Sequence, residues 1–209
     1  MFEKAVTKKT KQNLAILSQT SFLRNFYLAG GTALALQFGH RISIDLDFFS
    51  AQKFKPELIV TQIRELGEFF LESKDWGTLH GIFKGTRITF LYYPYPILFH
   101  LKKFEQVNIA DYLDIACMKL DVVSARGSKK DFIDLYFICQ KIQLEEIFKV
   151  FSKKYREIDF NLIHIFKSLC YFEEADKQPM PKMFKKVLWT DVKKFFIKEV
   201  KNFKKDIFI

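Results

Sequence analysis

The chain has 209 residues, 49% hydrophobic and 17% aromatic, so it carries enough apolar material to bury a core and is not a disordered tail. Its 25 phenylalanines are spread from end to end, and no uncharged apolar run reaches about 18 residues, which argues against a membrane-spanning helix. The formal charge of +10 favours a polyanionic partner, but lysine outnumbers arginine by 28 to 6, so the arginines are the sharper pointers.

Residues Met1 to Lys9 offer neither an apolar export segment nor a small-residue cleavage site, which makes the cytoplasm the default location. Apolar positions at Leu14, Ile16, Leu17, Phe22 and Leu23 predict a helix between Val6 and Phe26. A short buried strand, Phe26 to Ala29, follows. Gly30-Gly31 then turns the chain, and Thr32 is placed to cap a helix from Ala33 to Phe38 that ends at Gly39.

Ser43 to Ser50 reads as a second strand, with Ile44, Leu46 and Phe48 on one face and Asp45, Asp47 and Phe49 on the other. Pro56 opens a helix expected to run to Glu72. Trp76 to Lys84 and Thr86 to Tyr93, divided by Gly85, predict a hairpin, and Ile97 to Leu101 a further edge strand. From Asn108 onward the pattern becomes helical, with helices expected at 111–125, 130–141, 144–155, 158–175 and 190–203.

The fold expected is α/β (α+β): a small mixed twisted sheet flanked by helices over residues 1–107, and a helical domain over 108–209 that closes a cleft. Cys117, Cys139 and Cys170 are odd in number, lack CxxC spacing and lie among apolar residues, so packing thiols are expected rather than a disulfide or zinc framework. His40, His80, His100 and His164 have no zinc-ligand spacing, and His40 is expected at the surface.

The chemistry concentrates between Gly30 and Asp47. Glycine lets the backbone approach a phosphate, and the unpaired N–H groups at a helix start favour an anion, so Gly30, Gly31 and Thr32 are candidate phosphate contacts. Asp45 and Asp47, two apart on a strand, point the same way and repel each other unless a cation sits between them. Mg2+ held by two carboxylates and substrate phosphates suits that pattern. The bland alternative is a pair of solvated acids at a strand end.

Ala29-Gly30-Gly31-Thr32 with Asp45-Leu46-Asp47 resembles the pattern of the DNA polymerase β-like nucleotidyltransferase superfamily. Gly31 to Leu36, Gly39-His40-Arg41, Asp45 to Phe49, Tyr93-Pro94-Tyr95-Pro96 and the block from Met118 to Tyr136 resemble more narrowly the AbiEii/AbiGii-type nucleotidyltransferase toxins. The resemblance runs from about Phe26 to Cys139. It implies Mg2+-dependent transfer of a nucleotidyl group from a nucleoside triphosphate to an acceptor hydroxyl. It further implies a toxin of a toxin–antitoxin or abortive-infection pair, acting on an RNA such as tRNA, with an antitoxin protein as partner.

Lys119 and Arg126 stand seven apart, two turns along one expected helix, where they could share a face toward a triphosphate, and the resemblance gives Lys119 a nucleotide-contact role. Arg41 is a further candidate for offsetting developing charge. Ser128 and Asp131 read as a capping box, while the resemblance places a functional acid in the Asp131-to-Asp134 segment, and both readings stay open. Polymerase-type members bring a third carboxylate from a neighbouring strand, and Arg87 to Tyr92 offers none. Nine lysines between Lys182 and Lys205 alternate with apolar residues, as in an amphipathic helix with solvated cations or in a basic groove wall. A small-molecule nucleotidyltransferase of the antibiotic-modifying kind and a non-catalytic nucleotide- or RNA-binding module are the alternative functions.

Overall fold

Thr7 opens the first helix by accepting a hydrogen bond from the Thr10 amide at 3.2 Å, and α1 (Lys8–Ser18) follows. This computed structural model describes residues 1–207, with side chains through Phe203. The chain divides into two units, Met1–Asp111 and Tyr112 onward.

In the first unit, β1 (Tyr27–Ala29) runs directly into α2 (Gly30–Phe38), and β2 (Leu46–Ser50) precedes α3 (Pro56–Glu65). Then come β3 (Phe69–Asp75), β4 (Thr78–Phe83), β5 (Thr86–Tyr92), β6 (Lys102–Phe104) and β7 (Val107–Ile109). These strands form one sheet in the order β3-β4-β5-β2-β1-β7-β6. β2 lies parallel to β5 and β1 parallel to β7, while the remaining pairs are antiparallel, so the sheet is mixed.

Alternation divides the central strands into two faces. Leu46, Phe48, Leu79, Phe83, Ile88 and Phe90 are fully buried on one face, where Phe48 stacks on Phe90 at 5.0 Å and Phe22 and Phe26 meet Phe90 edge-on. Burying each such ring stabilises the fold by about 1.5–3 kcal/mol. Asp47, Phe49, Thr89 and His80 occupy the other face.

Several expected elements differ. α3 stops at Glu65, and residues 69–72, expected to continue it, begin β3; adjacent Phe69 and Phe70 masked a strand in which half-buried Phe69 and Leu71 alternate with exposed Phe70 and Glu72. The edge strand expected at 97–101 is replaced by the β6–β7 hairpin, which turns at Glu105 with a positive φ of 53°. Ser43 to Asp45 lie outside β2, and Ser43 instead bridges to Val6.

The second unit is helical: α4 (Tyr112–Ala125), α5 (Lys129–Cys139), α6 (Leu144–Lys154), α7 (Leu162–Leu169), α8 (Glu173–Asp176) and α9 (Trp189–Ile207). The helix expected over 158–175 is broken into α7 and α8. Phe132 gathers Phe172, Trp189 and Phe196, and Phe148 gathers Phe166 and Phe203. α9 buries Val192, Phe196 and Val200, one residue per turn, which leaves Lys194, Lys198 and Lys201 exposed.

An ion pair that the sequence did not announce lies within this unit: Lys154 Nζ meets Asp114 Oδ1 at 2.7 Å, with both side chains fully buried. Cys117 is buried and burial pushes its thiol up to about 12, whereas Cys170, expected as a packing thiol, is exposed. None of the described helices is long and apolar enough to cross a membrane.

Candidate active site

α2 begins one residue after β1, and this tight exit determines the site. Gly30 is its first residue and has φ of +65°, a left-handed conformation that costs side-chain-bearing residues energy. A Cβ at Gly30 would stand only 2.8 Å from Asp47 Oδ2, so the carboxylate packs against the bare backbone at the helix start. A Cβ at Gly31 would collide with the Arg41 guanidinium. The two glycines therefore have separate reasons: the first admits Asp47, the second Arg41.

Thr32 is not the N-cap. Ala29 occupies that position without a side-chain cap, and Thr32 is the third helical residue, 1% exposed. Its hydroxyl donates to the Asp45 carbonyl, and Ser43 Oγ lies 2.9 Å from the same hydroxyl. What Thr32 can offer a phosphate is its amide N–H, alongside those of Gly30 and Gly31, because the first turn of a helix leaves these donors without intrahelical acceptors.

Arg41 is 3% exposed, and its Nη1 donates to the Ile42 carbonyl at 3.1 Å. A buried guanidinium thus adds positive charge beneath the helix start. His40, expected at the surface, is fully buried beside Phe38, with ring centroids 6.2 Å apart. Ser43 was missed by sequence reasoning, and its signal was the alternation Arg41-x-Ser43-x-Asp45-x-Asp47.

Asp45 and Asp47 are both half-buried, Asp45 one residue ahead of β2 and Asp47 within it. Asp47 stands opposite Ala29 on β1 and opposite Thr89 on β5. The row continues to His80 on β4, whose Nδ1 is 3.3 Å from Thr89 Oγ1. The β5 position beside Asp47 therefore carries a hydroxyl backed by an imidazole, not a third carboxylate.

Among the described residues no group of three or more His, Cys, Asp or Glu gathers as a metal cluster. The Asp47 carboxylate beside the helix start, with Asp45 two residues ahead of it and tied to α2 by its carbonyl, fits Mg2+, which takes one or two carboxylates and completes its shell with phosphates and water. Phe49 continues the same face, stacked on Tyr27 at 6.0 Å and edge-on to Tyr93 at 5.5 Å, and Tyr93 in turn meets Tyr95 at 4.8 Å. The Tyr93-Pro94-Tyr95-Pro96 segment is thus an aromatic border to the acidic pair.

The remaining sequence candidates lie in the helical unit. Lys119 is 6% exposed and its Nζ sits 2.6 Å from both Asp131 Oδ1 and Asp134 Oδ2. Burial pushes the Asp131 carboxyl up, but the Lys119 ammonium and the Ser128 hydroxyl outweigh it and hold the group below the usual carboxylate range.

Ser128 caps α5 by position only, since its hydroxyl donates to the Asp131 carboxylate and accepts from no backbone N–H of the first turn. Arg126 lies just past α4 with a side chain 69% exposed and its Nε 3.9 Å from Asp131 Oδ2. Lys119 and Arg126 therefore converge on Asp131, the first from the interior and the second from solvent, instead of sharing an exposed stripe.

A family model described as nucleotidyl transferase AbiEii toxin, type IV TA system, matches residues 13–99, a span that includes the glycine turn and both aspartates. An uncharacterised protein of Aquifex aeolicus (strain VF5) is 39% identical over 204 residues, covering 94% of this chain and 96% of its own. Among solved structures, a candidate nucleotidyltransferase from H. pylori shares the fold, with a TM-score of 0.50 at 16% identity over 96% of each chain. JHP933 from Helicobacter pylori aligns over 97% of each chain at 17% identity and a TM-score of 0.46.

Proposed function

The chain belongs to the AbiEii family of nucleotidyltransferase toxins, and we propose that it moves a nucleotidyl group from a nucleoside triphosphate to a hydroxyl of an RNA such as tRNA, with pyrophosphate leaving. The observation that carries this reading is the approach of Asp47 to Gly30, which sets a carboxylate against bare helix-start amides. An acid there repels a phosphate unless a divalent cation lies between them, so the pairing makes chemical sense as a site for a metal-bound triphosphate.

In this mechanism the amides of Gly30, Gly31 and Thr32 hold the β- and γ-phosphates, and the buried Arg41 charge beneath them stabilises the leaving pyrophosphate. Asp45 and Asp47 would hold Mg2+, which would supply neutralisation of phosphate charge at the α-phosphorus. The Thr32 hydroxyl holds the Asp45 backbone to α2, so the two halves of the site keep their spacing.

Lys119 and Asp131, with Asp134, join α4 to α5, and Arg126 is the exposed cation of that group available to a phosphate. The +10 charge supports an RNA acceptor over a small neutral one. A cognate antitoxin protein is the expected partner.

Purified protein incubated with MgCl2, each α-labelled nucleoside triphosphate and total tRNA tests the reading. Label in the tRNA is the expected result. Label in an added aminoglycoside but not in RNA would replace it with the small-molecule reading, and the absence of label in either would remove it.

A further inference from the structure

Asp45 lines a groove on the β5 side of β2. The groove, of about 400 Å3, is walled by the start of α1, by Ile44 and Asp45, and by the β4–β5 hairpin, and it includes Lys9 and Arg87. Its walls are pinned to one another. Asn13 on α1 donates to the Phe83 carbonyl at 3.0 Å and to Thr86 Oγ1 at 2.8 Å, and the Thr10 hydroxyl donates to the Ile44 carbonyl at 3.1 Å. A Cβ at Gly85 would collide with the Lys9 ammonium, so this lysine lies across the hairpin turn rather than away in solvent.

Arg87 carries an exposed guanidinium whose partner, Glu72 at 3.1 Å, is a surface acid. Exposed pairs of this kind are worth little, so exchange for a phosphate costs little.

Strand order assigns the occupant. β1 and β5 flank β2 on opposite sides, and the helix start that would hold the triphosphate lies on the β1 side of Asp47. Nucleotidyl transfer sets the attacking and leaving oxygens roughly in line, so the acceptor must arrive from the side away from the pyrophosphate, which is the β5 side. The groove lies there, has Asp45 in its lining and carries two cations.

We propose that this groove is the acceptor site, taking the single-stranded end of an RNA with its terminal hydroxyl directed at Asp45 and its backbone phosphates on Lys9 and Arg87. The assignment rests on the nucleotidyl-transfer reading above for its reaction, but not for its binding. In the step itself the acceptor oxygen forms the new bond to the α-phosphorus, the bond to pyrophosphate breaks, and the hydroxyl proton leaves to water.

The test combines Lys9→Glu with Arg87→Gln in the full chain. Glutamate suits the first turn of α1, so the variant should fold. Fluorescence anisotropy with a single-stranded RNA oligonucleotide is expected to show about tenfold weaker binding and a salt slope reduced by about 1.4, or 0.7 per lost phosphate contact. Binding of ATP with MgCl2 should be unchanged.

Unaltered RNA affinity overturns the proposal, as does joint loss of RNA and ATP binding. The exposed Lys198→Glu/Lys201→Gln pair has the same charge change, and an equal loss there also overturns it, because net charge would then explain the effect. If the variant loses RNA but the unaltered protein never labels RNA, the groove stands and the transfer reading fails.

Discussion

Replacing Gly30 with alanine strains two things at once, and they separate by experiment. The left-handed φ of +65° costs an alanine about 1–2 kcal/mol, a loss visible in urea denaturation as a lower midpoint with an unchanged slope. The added methyl stands 2.8 Å from Asp47 Oδ2, closer than a carbon and a carboxylate oxygen settle, so the carboxylate must swing off the helix start. Side-chain rotation relieves most of that contact, and the steric part should appear in function more than in stability.

A misplacement of about 1 Å at a reacting centre costs about 100-fold in rate, so Gly30→Ala should label RNA at least that much more slowly. Since the harm passes through one carboxylate, Gly30→Ala in an Asp47→Ala background should cost little further activity while retaining its 1–2 kcal/mol of strain. Wild-type labelling by Gly30→Ala, or full multiplication of the two rate losses in the double variant, would refute the reasoning.

Three further outcomes follow from the helical unit. Lys119→Met leaves Asp131 and Asp134 buried without their cation and should cost about 3–5 kcal/mol in denaturant, while Lys119→Met with Asp131→Asn and Asp134→Asn should recover part of it. The Asp131 carboxyl is held below its unfolded value, so its contribution is fully present above about pH 4 and is lost as pH falls further. Asp131→Asn should be less stable at pH 7 and show a flatter acid limb in denaturation midpoints measured between pH 5 and pH 2. Cys170 should react rapidly with a thiol reagent, while Cys117 and Cys139, whose thiols are pushed up by burial, react only on unfolding; a fast phase that survives Cys170→Ser would contradict this.

Local chemistry made much of the site legible. A strand followed by Gly30-Gly31 has few conformations, so the turn could be located from residues alone, whereas strand alternation does not relate Asp45 to Asp47, because Asp45 lies one residue ahead of β2. The reasons for each glycine could not be read there, because they depend on Asp47 and Arg41 returning 10 or more residues later. Thr32 was misplaced because a hydroxyl near a helix start looks the same whether it caps the helix or reaches the Asp45 carbonyl.

The burial of Lys119 and Arg41 was likewise hidden. The acids that meet Lys119 come from the next helix and Arg41 packs back against Gly31, and sequence alone reads a cation as a surface residue. At the level of the fold, β3 was lost because Phe69 and Phe70 interrupt alternation by one apolar side chain on the outer face, where Phe70 is 65% exposed. The row from Asp47 through Thr89 to His80 needed strand register, because the β2–β5 pairing joins Asp47 to a residue far along the chain and only the Thr89–His80 step is local to a hairpin.

Nucleotidyl transfer by this site requires a metal-bound triphosphate between the acidic pair and the start of α2. A crystal structure with Mn2+ and a non-hydrolysable nucleoside triphosphate, read through the anomalous signal of the metal, tests it directly. Manganese within bonding distance of Asp45 and Asp47, with the outer phosphates on the Gly30, Gly31 and Thr32 amides, is the expected result. A metal and phosphates bound elsewhere, with Asp47 still against Gly30, would contradict it.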